Sequence, residues 1–350
     1  MTEKNGKSVL ILGAGLVTKP GVEYLDKHGF SVTIASRTVS KAQALVEDLQ
    51  HGKAVQFLID DSDALHELVG QHDLTVSLLP ATYHVIVAKA CLKQNRPMVT
   101  TSYVKPEMKA LNEEAKKKGL LLLNELGLDP GIDHMSAKKI IDEIATNGGK
   151  IVSFKSYCGG LPAPDAKTTP WGYKFSWSPR GVVLAGTNPA RYLQEGKTID
   201  IPGEELFSNH WPVDVPGAGQ FEAYPNRDSI PYQDLYNLHD AKTMLRGTLR
   251  YPGWCKTWKH MVDLGFLSLE ERDDIQGVSY RSLMAQIAGG NDPEKAEETV
   301  AKRLGIKVES DPIKRWTWLG LFSEDKTPDE PTLLDVLSHR LLEKLQYSAK

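Results

Sequence analysis

Short runs of consecutive apolar residues mark the first third of the chain. Residues 8–12 read Ser-Val-Leu-Ile-Leu, the uninterrupted pattern expected of a strand buried on both faces. Similar runs recur at residues 31–35, 54–59, 74–79, 98–101 and 120–124. Between them, apolar residues return at helical spacing over 40–50, 61–69 and 106–117. This alternation predicts an α/β fold with a parallel, doubly wound sheet. Such sheets bind ligands beyond the carboxyl ends of their strands. That rule picks out Asp60-Asp61, Pro80-Ala81, Ser102-Tyr103 and the stretch from Leu126 to Gly131.

The pattern changes after Gly127-Leu128-Asp129-Pro130-Gly131, a loop signal at the end of the sixth run. Residues 132–144 predict an amphipathic helix that bridges to a second domain, and 151–157 alternate as a strand does. From there to about Trp258 the chain is rich in Gly, Pro and aromatic residues. That composition predicts an α+β domain of short, irregular strands and long functional loops. Beyond Trp258 the pattern turns helical, most clearly at 285–288, 293–304 and 332–346. The expected organisation is therefore 1–131, 132–265 and 266–350, the last a helical region. There is no internal repeat beyond the strand–helix rhythm and no low-complexity tract.

The first run leads straight into Gly13-Ala14-Gly15. Gly13 allows a tight turn, and Gly15 lets backbone approach a pyrophosphate lying over the next helix N-terminus. Thr18 holds the place of the third glycine of the usual fingerprint, and Pro20 suits the first turn of a helix. About twenty residues on, where an NAD site places an acidic residue against the ribose 2′-hydroxyl, this chain has Ser36-Arg37-Thr38. A guanidinium flanked by hydroxyls suits a 2′-phosphate, because it bonds phosphate oxygens bidentately and stacks on adenine. The first domain thus predicts a Rossmann-type site for NADP(H). Its expected contacts are Gly13, Gly15, Leu16, Val17, Ser36, Arg37, Thr38, Asp60, Leu79 and Ser102. Of the Asp60-Asp61 pair, one is expected near the adenine amine and the other as a helix cap.

Length and charge narrow the remaining classes. A chain of 350 residues is long enough for two ordinary domains. A formal charge of −3 disfavours nucleic acid and anionic membrane as partners. The three cysteines are widely separated and the ten histidines lack ligand spacing, so no disulfide framework and no metal site are expected. A reducing cytoplasm is the expected compartment. No run is long enough to span a bilayer, and the first run reads as a strand rather than a signal peptide.

Several residues can carry chemistry, each with a structural alternative. Cys158 follows a predicted strand and precedes Gly159-Gly160, whose exposed N–H groups can hold a carboxylate. The thiol is either an acid–base group or a buried small apolar residue. Asp129 is either a general base or ammonium partner, or a turn-former ahead of Pro130. Tyr103 can donate a proton or simply pack. Arg227, Arg246 and Arg250 are either carboxylate clamps or ion-paired structural arginines. His134 reads as structural, and Lys116-Lys117-Lys118 as a solvated helix end.

Taken together, Gly13-Ala14-Gly15 with Pro20, Ala35 to Thr38, Ser77-Leu78-Leu79-Pro80, Thr101-Ser102-Tyr103, Glu125 to Met135, Ser156 to Pro162 and Gly247 to Tyr251 resemble the saccharopine dehydrogenase family. The likeness is narrowest to its NADP-dependent, glutamate-forming branch of fungal lysine synthesis. It implies that α-aminoadipate δ-semialdehyde condenses with glutamate to an imine, which NADPH reduces to saccharopine. It also implies acid–base roles for Tyr103, Asp129 and Cys158, from strand ends in two domains. Implied substrate contacts are Ser102, Tyr103, Asp129, Ser178, Arg227 and the stretch Arg246, Gly247 and Thr248. A substrate with three carboxylates suits several arginines. The resemblance further implies a C-terminal segment that continues past residue 350 and returns to the nucleotide domain. The helical region is therefore expected to be incomplete relative to the family. A homodimer is a possible assembly. The competing readings are a related NADP-dependent imine or carbonyl reductase, and a catalytically silent NADP sensor.

Overall fold

The computed structural model describes residues 6–347. The chain forms two compact units, one ending at Lys139 and the other starting at Ile140.

Six parallel strands build the sheet of the first unit: β1 Ser8–Leu12, β2 Ser31–Ser36, β3 Gly52–Gln56, β4 Leu74–Ser77, β5 Met98–Thr100 and β6 Leu122–Leu123. Their order is β3-β2-β1-β4-β5-β6, the doubly wound arrangement whose direction reverses between β1 and β4. The unbroken apolar run of β1 has a direct cause. Val9 and Ile11 pack into one core with Val22 and Ile34, while Leu10 and Leu12 pack into another with Leu65 and Val87. Both faces are dry, so no polar alternation is possible.

Two local expectations need correction. The third strand is Gly52–Gln56 rather than 54–59. It is the edge strand, largely exposed, and Phe57 just past it keeps its N–H on the Ser36 carbonyl while its ring is buried in the core. The helix expected over 106–117 is two pieces, Pro106–Lys109 and Asn112–Lys117. Between them the Leu111 N–H bonds the Met108 carbonyl, an i→i+3 contact that interrupts the α-helical ladder.

The second unit holds a mixed sheet of β7 Ser153–Cys158, β8 Ala190–Gln194, β9 Lys197–Ile201, β10 Trp211–Val215, β11 Gly219–Pro225 and β12 Thr243–Arg250. The central strand is β12. It runs parallel to β7, antiparallel to β11, and meets β8 at Met244. An aromatic core lies beside this sheet, with Trp171 edge-on to both Trp254 and Trp258. The helix Trp254–Asp263 begins ahead of the helical turnover expected after Trp258. Its start is fixed by Glu222, whose carboxylate accepts from the N–H groups of Gly253 and Cys255 at 2.6 and 2.9 Å. Of the late helices expected from periodicity, that at 285–288 is the end of a longer helix, Tyr280–Ile287, that at 293–304 opens with a 3-10 turn at Pro293–Lys295 before Ala296–Leu304, and that at 332–346 is Leu333–Lys344. The last of these is capped by Thr332, whose hydroxyl accepts from the Asp335 N–H at 3.1 Å.

Candidate functional site

The glycine turn lies at the reversal point of the first sheet. Gly13 has φ +112° and donates its N–H to Ala35 of β2. A Cβ there would come 3.0 Å from the Leu78 carbonyl just past β4, so only glycine lets the β1 and β4 ends lie this close. At Gly15 a Cβ would meet nothing within 4 Å, which leaves the backbone open to a ligand. Thr18, in the place of the third glycine, is 1% exposed. Its hydroxyl accepts from the Gly15 N–H at 3.1 Å and reaches the Gly13 carbonyl at 3.4 Å. The helix Thr18–Lys27 then starts with Leu16 and Val17 exposed at its mouth. This cradle fits a pyrophosphate. At the end of β2, Arg37 and Thr38 are exposed, and the Thr38 N–H bonds Ser36 Oγ at 3.3 Å. Asp61 is the cap of the Asp60-Asp61 pair, its carboxylate accepting from the Ala64 N–H at 3.0 Å, and Asp60 stands exposed beside it. Leu79 is half-buried just past β4.

Past β5 the chain builds a second group of candidate side chains. The Tyr103 hydroxyl donates to Asp129 Oδ1 at 2.8 Å, joining two candidates 26 residues apart. The loop geometry that permits this is tight. Gly131 has φ +151° and a Cβ there would collide with the Gly127 backbone, while the Gly127 N–H bonds the Pro130 carbonyl at 2.9 Å. Two backbone bonds tie this loop to the strand end, from Leu126 N–H to Thr100 and from Glu125 N–H to Ser102. Sequence reasoning passed over two residues here. Glu125 accepts from the Val104 N–H at 2.9 Å and lies 3.1 Å from His134 Nε2, which suits the structural reading of His134. His84, 4% exposed, reaches Ser77 Oγ through Nδ1 at 2.9 Å and Ser102 Oγ through Nε2 at 2.8 Å. Glu125 opens the segment that carries the family resemblance, whereas His84 belongs to no motif that spacing would flag.

In the second unit the register of β7 on β12 sets Ser156 beside Arg246 and Cys158 beside Thr248. These four therefore share one face of the sheet. Arg246 is 2% exposed. Its guanidinium donates to the Tyr232 hydroxyl at 3.0 Å and lies 4.5 Å from that ring's centre. The segment after β11 closes on the same arginine: Ser229 Oγ accepts from its N–H and its carbonyl accepts from Asn226. Arg227, exposed, follows at φ +54°. Gly247 gives the Tyr157 ring room to lie on the strand, since a Cβ would come 2.8 Å from it. Gly159 is needed where the chain passes the Leu249 carbonyl. Ser178 caps the helix Pro179–Ala185, its Oγ accepting from the Gly181 N–H at 3.2 Å. Arg250 stands apart from the other arginines. It is buried among the core aromatics, 5.2 Å from the ring centres of Tyr173 and Trp254.

Among the described residues, no helix is long and apolar enough to cross a membrane, and no group of three His, Cys, Asp or Glu side chains is placed to hold a metal ion.

Known proteins match both units. Residues 9–123 fit the family model of the saccharopine dehydrogenase NADP binding domain, and 127–350 that of the saccharopine dehydrogenase C-terminal domain. The chain is 41% identical to saccharopine dehydrogenase [NADP(+), L-glutamate-forming] of Pyricularia oryzae, covering 97% of this chain and 77% of that protein. Its counterpart in Schizosaccharomyces pombe is 40% identical over 97% of this chain and 78% of that protein. Among solved structures, apo saccharopine dehydrogenase (L-Glu forming) from Saccharomyces cerevisiae superposes with a TM-score of 0.85 at 39% identity, covering 98% of this chain and 78% of that one. The fold, the order of the two matched domains and the near-complete alignments agree, and the chain belongs to the saccharopine dehydrogenase family.

Proposed function

We propose that this chain is an NADP(H)-dependent oxidoreductase acting on a CH–NH bond. It interconverts saccharopine with L-glutamate and α-aminoadipate δ-semialdehyde, a step of lysine biosynthesis. The observation that carries this reading is the 41% identity, over 97% of the chain, to an enzyme named for that reaction. In the oxidative direction saccharopine, NADP⁺ and water give glutamate, semialdehyde, NADPH and a proton.

The nucleotide would be held by the Gly13–Val17 turn, by Ser36, Arg37 and Thr38 around the 2′-phosphate, and by Asp60, Leu79 and Ser102. Bound there, it supplies or accepts a hydride. The chain's own residues must then move protons, because imine formation and hydrolysis add and remove them at nitrogen and oxygen. Tyr103 and Asp129 suit that task, since their 2.8 Å hydrogen bond lets one hold a proton while the other accepts it. Cys158 is the third candidate. Arg227, Arg246, Gly247, Thr248 and Ser178 are the proposed contacts for the substrate's carboxylates, with Ser102 and Tyr103. The three free cysteines support a reducing, cytoplasmic location. A homodimer acting on small molecules alone, without nucleic acid, completes the reading.

The test follows NADPH oxidation with the semialdehyde and glutamate together and singly. The reading requires consumption only with both present. Equal rates with other amino-acid pairs would favour the related imine reductase. Tight NADPH binding without turnover would favour the silent sensor.

A further inference from the structure

We infer that His84 is a positioning residue that sets the Ser102 hydroxyl for the nicotinamide half of the nucleotide. The imidazole joins three hydroxyls on separate elements of the first unit. Nδ1 lies 2.9 Å from Ser77 Oγ at the end of β4. Nε2 lies 3.1 Å from Thr100 Oγ1 on β5 and 2.8 Å from Ser102 Oγ just beyond it. Whichever nitrogen carries the proton, the other accepts, so a neutral ring serves both sides. Burial, with Lys105 adding to it, pushes the His84 imidazole down to about 4, so the ring stays neutral through the physiological range.

The inference rests on the functional reading only in taking Ser102 as a ligand contact. A doubly wound sheet carries one mononucleotide on each side of its reversal point. The Gly13 turn and Arg37 stand on the β1–β2 side, and Ser102 stands on the β4–β5 side. The backbone around Ser102 has braces of its own, from Glu125 N–H to the Ser102 carbonyl and from Val104 N–H to the Glu125 carboxylate. Loss of His84 therefore frees the hydroxyl rather than the loop. A residue that only filled the core would not distinguish the two halves of the nucleotide.

The experiment compares His84→Asn and His84→Gln with the unmodified protein. Asn places its amide where Nδ1 stands, and Gln reaches the place of Nε2. We expect His84→Gln to keep kcat/KM for saccharopine within about threefold and His84→Asn to lose roughly tenfold or more. NADPH should bind His84→Asn more weakly, while 2′,5′-ADP, which lacks the nicotinamide half, should bind all variants alike. Because the effect passes through Ser102, adding His84→Asn to Ser102→Ala should cost nothing further. Equal behaviour of Asn and Gln, a parallel loss of 2′,5′-ADP affinity, or multiplying losses in the double variant would each overturn the inference. If His84→Asn does not fold, Ser102→Ala decides alone. It must lose NADPH affinity selectively, and unchanged NADPH binding and turnover sink the idea. Failure of the unmodified protein to oxidise saccharopine would refute the functional reading separately, and the NADPH against 2′,5′-ADP contrast would still judge His84.

Discussion

Arg37 stands exposed at the end of β2 and makes no hydrogen bond or ion pair with any described residue. Its guanidinium is thus available to a ligand and contributes little to the fold. Arg37→Ala should weaken NADPH binding roughly ten- to a hundredfold, the scale of a charge-assisted bond, and change NADH binding far less. Parallel titrations check this, and equal losses for both nucleotides would refute it. The cysteines form a graded set. Burial pushes the Cys91 thiol up to about 11, against a smaller opposing effect of its hydrogen bond with Thr75. Burial, and then the neighbouring Glu222, raise Cys255 further still. Cys158 alone is half-buried. Iodoacetamide at mildly alkaline pH should therefore alkylate Cys158 in the folded protein and the other two only after denaturation. Mass spectrometry of the peptides reads the order, and labelling of Cys255 ahead of Cys158 would contradict it.

Gly247 and Arg246 make β12 the element on which the second unit depends. The Tyr157 ring and the Tyr224 carbonyl lie 2.8 and 3.2 Å from where a Cβ on Gly247 would stand. Gly247→Ala should destabilise the second unit by about 1–3 kcal/mol through overpacking. Urea denaturation measures it, and unchanged stability would mean that the Tyr157 ring moves aside without penalty. Arg246→Met should raise KM for saccharopine and leave NADPH affinity unchanged. A lower melting temperature at constant KM would instead assign Arg246 to its Tyr232 contact. This strand also shows where the sequence stops being readable. The strand β1 is legible because both faces are dry and every position is apolar. Arg246, Gly247 and Arg250 in β12 are as enclosed by structure, but their burial rests on an aromatic ring, a close backbone approach and the core, none of which periodicity encodes. The edge strand β3 starts two residues and ends three residues earlier than its apolar run, because exposure leaves its own positions without an apolar signal. Motif spacing picked out Tyr103 and Asp129 separately, and folding supplied their bond. His84 was invisible because its partners lie 7, 16 and 18 residues away on different elements.

For the molecule as a whole, two histidines link stability to acid, the buried His84 in the first unit and the half-buried His260 in the second. Burial, then Lys105, holds His84 at about 4. Burial also lowers His260, with Asp263 opposing it. Each group's folded value lies below its unfolded one, so the unfolded chain binds the proton first as pH falls. Stability from His84 is then complete above about pH 6.5 and drains away toward pH 4. Between pH 7.5 and 5 the loss from His84 should be on the order of 1–2 kcal/mol, allowing for partial hydration of the site. Denaturation midpoints across that range test the slope, which should flatten in His84→Gln; an unchanged slope would place the acid sensitivity elsewhere. A different consequence follows from Thr18, whose hydroxyl ties the Gly15 N–H to the Gly13 carbonyl by contacts within the turn itself. The turn gives up its conformational freedom during synthesis and folding, once, instead of at every catalytic cycle. Nucleotide capture should accordingly be a single fast step, with no slow ordering of this turn behind it.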